Sequence, residues 1–308
     1  MLGIHLTPHL KKIAGKHRAI YNQFVPSDIE EKDVPVSNDD PLMEEHYTAT
    51  RGLIHKYDNR ALILLTMNCA AYCRFCTRRR KVSDVKNGII TESDLDKMVA
   101  YIKKHPQIKE LIFSGGDPLT VPELLKKALQ KFCRLPQIKV IRISTRLHVA
   151  DPMKVNKKVI AALRVVKKQP LYLLVHFEHL AEITKPTIVA VKRLQKVSTM
   201  LLSQTVSLKG INDNVEILYS LFSRLVEIGI KPYYFFRCDP VKGAEHFIVD
   251  LKKEVAIVTE LHKRLSGVAV PAYVVDTPEG FGKVPIPLNF WACKRVEYQD
   301  FKGQIIQL

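Results

Sequence analysis

From Arg60 onward the chain alternates with a regularity that leaves few folds open to it. Apolar, strand-like runs occur at Ala61–Met67, Leu111–Phe113, Val140–Ile143, Leu171–His176, Met200–Val206, Tyr233–Phe236 and Ala269–Val275. Between most of them lies an amphipathic segment of helical period: Thr91–Lys104, Val121–Phe132, Lys154–Val166, Thr187–Lys196, Asn214–Glu227 and Leu251–Leu265. Strand and helix at near-constant spacing predict an α/β fold of parallel βαβ units wound into an open or closed barrel. In such a barrel the chemistry sits on the C-terminal rim of the strands. Notable polar residues fall there: Cys69 after the first strand, Ser114 to Asp117 after the second, Ser144 to Arg146 after the third, His176 closing the fourth, Gln204 late in the fifth, Asp239 after the sixth and Asp276 after the seventh. Residues 1–50 read as a helical and linker extension ending in the acidic patch Asp39, Asp40, Glu44 and Glu45, and residues 51–308 as one barrel domain.

At 308 residues the chain is long enough for one such domain with a substantial core. No uninterrupted apolar run is long enough to cross a bilayer, and the first twenty residues lack a signal-peptide core. Six cysteines, three of them clustered, fit a reducing cytosol better than a disulfide framework, so a cytoplasmic location is expected. A formal charge of +17 suggests nucleic acid, yet no arginine-rich tail or aromatic–basic ladder accompanies it. The basic residues are scattered, as at Lys126-Lys127, Lys157-Lys158 and Lys252-Lys253, which predicts a solvated basic surface; RNA or an acidic protein partner stays open.

The three clustered cysteines lie in Thr66-Met-Asn-Cys-Ala-Ala-Tyr-Cys-Arg-Phe-Cys-Thr-Arg-Arg-Arg80. Thiolates Cys69, Cys73 and Cys76, on a loop leaving a strand, can hold three irons of a cubane iron–sulfur cluster and leave the fourth open. A zinc knuckle is the rival, but zinc usually takes four ligands in paired spacings, and no fourth Cys or His lies within a few residues. The spacing C-x3-C-x2-C resembles that of the radical S-adenosylmethionine (SAM) enzymes. The resemblance implies a [4Fe-4S] cluster whose open iron chelates SAM, an electron donor such as flavodoxin or ferredoxin, and a partial (β/α)6 barrel.

Ser114-Gly-Gly-Asp-Pro118 alone is an ordinary turn, but one strand after a cluster loop it resembles the element that grips the amino group of SAM. Val275-Asp-Thr-Pro-Glu-Gly-Phe-Gly-Lys-Val-Pro-Ile286 alone is a Gly/Pro loop with a surface lysine. Together, from about Asp40 onward, the chain resembles the lysine 2,3-aminomutases, which also depend on pyridoxal 5′-phosphate (PLP). The resemblance implies that Lys283, on a C-terminal loop, anchors PLP as a Schiff base, a task suited to an amine that can swing away. It implies that Arg60 and Gln204 contact PLP, and that Ser114, Gly115, Gly116, Asp117, Ser144, Arg146 and His176 surround SAM. Arg78 would pair with the substrate carboxylate, and Asp239 and Asp276 with a side-chain ammonium. Two carboxylates favour lysine over glutamate, since unpairing a buried charge costs about 3–5 kcal/mol.

Two positions and the C-terminal segment depart from the family pattern. Gly210-Ile-Asn-Asp-Asn214 has Asn where longer members carry a partner cysteine, and no cysteine cluster follows Cys293, so the zinc tail and its tetramer are not expected. A homodimer remains compatible. Lys56 stands where many relatives have Arg. The short form and Asn214 resemble the branch that supplies (R)-β-lysine for elongation factor P, whereas Asp276 and Cys-Thr-Arg-Arg-Arg80 resemble the free-lysine branch. A radical SAM enzyme acting on RNA is the alternative suggested by charge alone.

Overall fold

The structure, a computed structural model, describes residues 2–32, 38–82, 84–277, 282–289, 297–299 and 304–307. Helices α1 (Pro8–Ala14) and α2 (Arg18–Phe24) open the chain, and a hairpin of β1 (Thr48–Thr50) and β2 (Leu53–Tyr57) leads into β3 (Arg60–Thr66). Then follow α3 (Glu92–Lys104), β4 (Glu110–Gly115), α4 (Pro122–Phe132), β5 (Val140–Thr145), the single turn α5 (Leu147–Ala150), α6 (Lys157–Leu163), β6 (Leu171–His176), α7 (Lys185–Gln195), β7 (Met200–Val206), α8 (Val215–Glu227), β8 (Lys231–Phe236), α9 (Leu251–Arg264) and β9 (Ala272–Asp276). Strand β10 (Lys283–Pro285) and a separate hairpin, β11 (Glu297–Gln299) with β12 (Ile305–Gln307), complete it.

One sheet runs in sequence order from β1 to β10. Strands β3 to β9 are all parallel neighbours, and the antiparallel β2 and β10 flank them. The first and last strands do not pair, so the sheet is a partial barrel with two edges. The seven parallel strands are those read from the sequence. The β1–β2 hairpin was not expected, because its short polar strands lack an apolar run.

Period-two alternation decides what each parallel strand shows to either side. Ile63, Leu111, Phe113, Ile141, Ile143, Leu173, Val175 and Phe235 turn outward into one core under the helices. The intervening residues, among them Ile112, Ser114, Arg142, Ser144, Leu174, His176, Gln204, Tyr234 and Phe236, line a cavity inside. Leu10, Ile20 and Phe24 of α1 and α2 join the same core as the barrel helices. Local chemistry starts the helices where the pattern demands. Thr91 and Asp94 form a capping box on α3. Asn214 caps α8, its Oδ1 accepting from Glu216 N at 2.8 Å and Ile217 N at 3.3 Å, a cap worth about 1 kcal/mol. Asn214 thus has a structural task of its own at the start of α8.

Candidate active site

A cavity of about 500 Å³ runs through the lumen of the parallel strands to their C-terminal ends, and every site residue named from the sequence lines it. Cys69, Cys73 and Cys76 sit at one end on the loop leaving β3. The three residues are half-buried and make no disulfide with one another. Burial raises all three above the ordinary thiol range, Cys76 to about 11. Iron binding would therefore displace protons here. Among the described residues no three His, Cys, Asp or Glu side chains are arranged to hold one metal ion, whereas a cubane takes one thiolate per iron from a wider triangle. Hydrogen bonds to the sulfurs are in place: Arg146 Nη1 donates to Cys73 Sγ at 2.9 Å, and Arg78 N to Cys76 Sγ at 3.4 Å. Such donors offset thiolate charge and tune a cluster. The donor set fits [4Fe-4S].

Beside the thiols, the turn after β4 approaches the cysteine loop with no room for side chains. A Cβ on Gly115 would lie 2.1 Å from Thr66 O, and one on Gly116 2.3 Å from Asn68 O. Gly115 also has φ +122°, which a side chain would strain. Gly116 N donates to Thr66 O at 2.5 Å and Asp117 N to Asn68 O at 2.7 Å, tying the two loops together. Asp117, expected among the SAM contacts, spends its carboxylate on protein. It accepts from Thr145 Oγ1 at 2.9 Å, Arg146 N at 2.8 Å and Leu119 N at 3.0 Å. The GGD stretch therefore offers the cavity its backbone rather than an available carboxylate. Ser144 Oγ and His176 Nε2 are 3.2 Å apart, and His176 is the cross-strand partner of Gln204. Arg146 reaches Glu182 at 2.9 Å, also bonds Gln23, and lies over the rings of Phe24 and Phe75.

At the other end Lys283 is the register partner of Asp276 across β9 and β10, and its Nζ lies 2.9 Å from Asp276 Oδ1. The expected loop lysine is thus the first residue of an edge strand. Residues 278–281 of the glycine-rich stretch lie outside the described residues, as does Cys293, while Gly282 O accepts from Thr277 N at 2.9 Å. Burial works to lower the Lys283 pKa, but the net shift is upward, with the Asp276 carboxylate as the leading opposing effect, so the amine is held as an ammonium. Asp239 faces the same pair. Burial and the Asp276 charge push its carboxyl up to about 8, against the pull of Lys283 and Lys56. Lys56, lowered chiefly by burial, and Arg60, stacked on Tyr57 with its guanidinium carbon 4.0 Å from the ring centre, add cations suited to a phosphate. An amine, two cations and Gln204 lining one cavity fit PLP.

The sequence reading missed the acids that serve this cavity from the N-terminal segment. Glu44 pairs with Arg78, and Glu30 with Arg74 and Arg79. Arg74 is wholly buried. The complementary runs, acidic before β1 and Cys-Thr-Arg-Arg-Arg80 after β3, were the available signal.

A profile of the Radical SAM superfamily matches residues 63–215. L-lysine 2,3-aminomutase of Methanococcus maripaludis is 35% identical over 293 residues, covering 93% of this chain and 66% of that one. L-lysine 2,3-aminomutase of Acetoanaerobium sticklandii is 33% identical over 311 residues, covering 99% and 74%. The chain belongs to the lysine 2,3-aminomutase family. It is accordingly a radical SAM isomerase of the aminomutase type, with a [4Fe-4S] cluster, SAM and PLP as the cofactors of the family. The chain is also similar to glutamate 2,3-aminomutase of Clostridioides difficile, 32% identical over 277 residues, covering 87% of the chain and 64% of that protein. A radical SAM methyltransferase from Sphaerobacter thermophilus shares the fold at 13% identity, with a TM-score of 0.54, covering 73% of this chain and 68% of that one. Among the described residues, no helix of this family member is long and apolar enough to cross a membrane.

Proposed function

We propose that the chain is an L-lysine 2,3-aminomutase, moving the amino group of lysine from carbon 2 to carbon 3. The observation that carries the reading is the acid pair. Asp239 and Asp276 face one cavity with Lys283, at the end away from the cysteine thiols. A lysine side-chain ammonium entering there would meet the Asp276 carboxylate and draw Asp239 toward its charged form, adding to the pull that Lys283 and Lys56 already exert. A glutamate side chain would bring a third carboxylate beside two, in a place where burial already raises Asp239. Unpaired burial of that charge costs more than the roughly 1–3 kcal/mol by which a methylene discriminates.

When bound, the cluster and SAM supply a 5′-deoxyadenosyl radical, and PLP supplies the π-system that spreads the unpaired electron. The chain's own part is position and charge. Lys283 would hold PLP and give up its hold as substrate arrives, with Asp276 taking or returning the proton at Nζ. Arg60, Lys56 and Gln204 would fix the cofactor, Arg78 the substrate carboxylate, and Asp239 with Asp276 the far ammonium. The two ends of lysine would thereby be pinned while carbon 3 is presented to the radical. The apolar lining, including Leu62, Ile112, Leu174 and Phe236, excludes water from that centre. Gly115 and Gly116 offer SAM a close backbone approach, and Ser144 and His176 further polar contacts. The enzyme would draw its electron from an acidic flavodoxin- or ferredoxin-type donor, work in the cytoplasm and admit a homodimer.

The test is anaerobic incubation of reconstituted protein with SAM, PLP, reductant and a panel of amino acids, read by chiral chromatography. β-Lysine from lysine alone is expected; β-glutamate would overturn the substrate assignment. Lys283→Ala should abolish the near-visible cofactor band, and an intact band would remove Lys283 from its role.

A further inference from the structure

Arg78 is held before any ligand arrives. Glu44 meets its guanidinium side-on: Oε1 accepts from Nε at 2.9 Å and Nη2 at 2.6 Å, and Oε2 accepts from Nε at 2.9 Å. Both side chains are enclosed, 4% exposed for Glu44 and 15% for Arg78. The opposite nitrogen, Nη1, makes only long bonds, 3.3 Å to Ser114 Oγ and 3.3 Å to Gly115 O, on the cavity rim. Side-on pairing uses one edge of the guanidinium fork and leaves the end edge for a second, planar acceptor.

The backbone at Glu44 is itself fixed. Asp40 Oδ2 accepts from Glu45 N at 2.9 Å, and Glu44 O accepts from Thr48 Oγ1 at 2.7 Å. Met43, immediately before, has φ +53°, and it is the one non-glycine residue with positive φ among the described residues. A bulky residue held in the left-handed region next to an inward-pointing carboxylate marks a segment whose course is set by its contacts rather than by local preference.

We infer that Glu44 is the positioning residue for substrate recognition: it locks the side edge of Arg78 so that the end edge presents Nη1 and Nη2 to the carboxylate of the amino acid. This rests on the lysine reading above and extends it to a residue outside the barrel strands. Glu44 does not touch substrate. Its charge also keeps Arg78 from being an over-strong anion trap. The loss of orientation outweighs that gain, because a guanidinium free to swing on four torsions meets a planar carboxylate bidentately only after being ordered.

The test measures binding of L-lysine, L-lysinamide and L-norleucine to cofactor-reconstituted protein by calorimetry, beside KM and kcat for lysine. Lysinamide lacks the carboxylate charge, and norleucine lacks the side-chain ammonium. The wild type should prefer lysine to both. Glu44→Gln should weaken lysine binding by about 10- to 100-fold, raise KM more than it lowers kcat, and shrink the lysine-to-lysinamide ratio while leaving the lysine-to-norleucine ratio unchanged. Glu44→Asp should recover part of the loss. Glu45→Gln, which removes an exposed acid that salt-bridges Arg80 and Lys81, should match the wild type. Tighter lysine binding in Glu44→Gln, or an unchanged lysinamide ratio, overturns the inference. A wild type that does not distinguish lysine from lysinamide overturns the role given to Arg78 instead. If Glu44→Gln proves unstable, the ratio is read on Glu44→Asp, where a wild-type value overturns the inference.

Discussion

Around the cysteine loop, Arg74, Arg78, Arg79 and Arg80 each meet a carboxylate from residues 30–45, whereas at the far end of the cavity burial and the Asp276 charge act on Asp239 against the pull of Lys283 and Lys56. At the first end the pairs are bidentate or shared, and Arg74 donates from Nε to Glu30 Oε1 at 2.9 Å and from Nη1 to Leu2 O at 2.9 Å. Each of these guanidinium groups is anchored on a fixed carboxylate, so that end is prepared. At the second, burial and the neighbouring Asp276 charge push the Asp239 carboxyl up to about 8. The difference separates a scaffold for a cofactor from a receptor for a ligand: satisfied charge holds a shape, and under-satisfied charge selects what may enter.

The contrast breaks most completely at the thiols. Cys76→Ser should leave the chain folded, lower the iron content after reconstitution and reduce turnover to background, measured by iron assay and product chromatography. At the receptor end, Asp276→Asn should weaken lysine by about 3–5 kcal/mol, read by calorimetry, with little change in iron content. At the scaffold end Glu30→Gln should do the reverse, lowering unfolding free energy by about 3 kcal/mol in urea titrations, because it strands the wholly buried Arg74. A subtler separation comes from pH. Between its ordinary value of 3.8 and about 8, Asp239 in the folded cofactor-free protein keeps a proton that the unfolded chain has lost. Stability should therefore fall as pH rises through that window and level off above it, and Asp239→Asn should flatten the decline. The smallest effect is expected away from both ends. Lys131→Ala removes a surface pair with Asp96 and should change stability by less than about 1 kcal/mol.

The barrel was legible because each parallel strand repeats one simple rule, apolar toward the helices and mixed toward the lumen, and each amphipathic helix answers it. Cys69, Cys73 and Cys76 were legible because they are neighbours in sequence. The Glu44–Arg78 and Glu30–Arg74 pairs were not, since a carboxylate thirty or more residues from its arginine looks the same as any surface acid until the chain is folded. Gly115 and Gly116 were read as a turn, but their necessity comes from Thr66 and Asn68 on the neighbouring strand end. Lys283 was expected on a loop because Gly and Pro surround it, and the three-residue pairing with Asp276, Val275 and Val274 outweighed that composition.

That short pairing has a mechanical consequence. Among the described residues β10 is hydrogen-bonded on one flank only, to β9, whereas the parallel strands are braced on both. Peeling it away would break three residues of ladder and leave the rest of the sheet intact, which makes the strand bearing Lys283 cheaper to move than any of the parallel strands. The amine can then travel with its backbone as well as by its own torsions, like a latch hung from a single hinge.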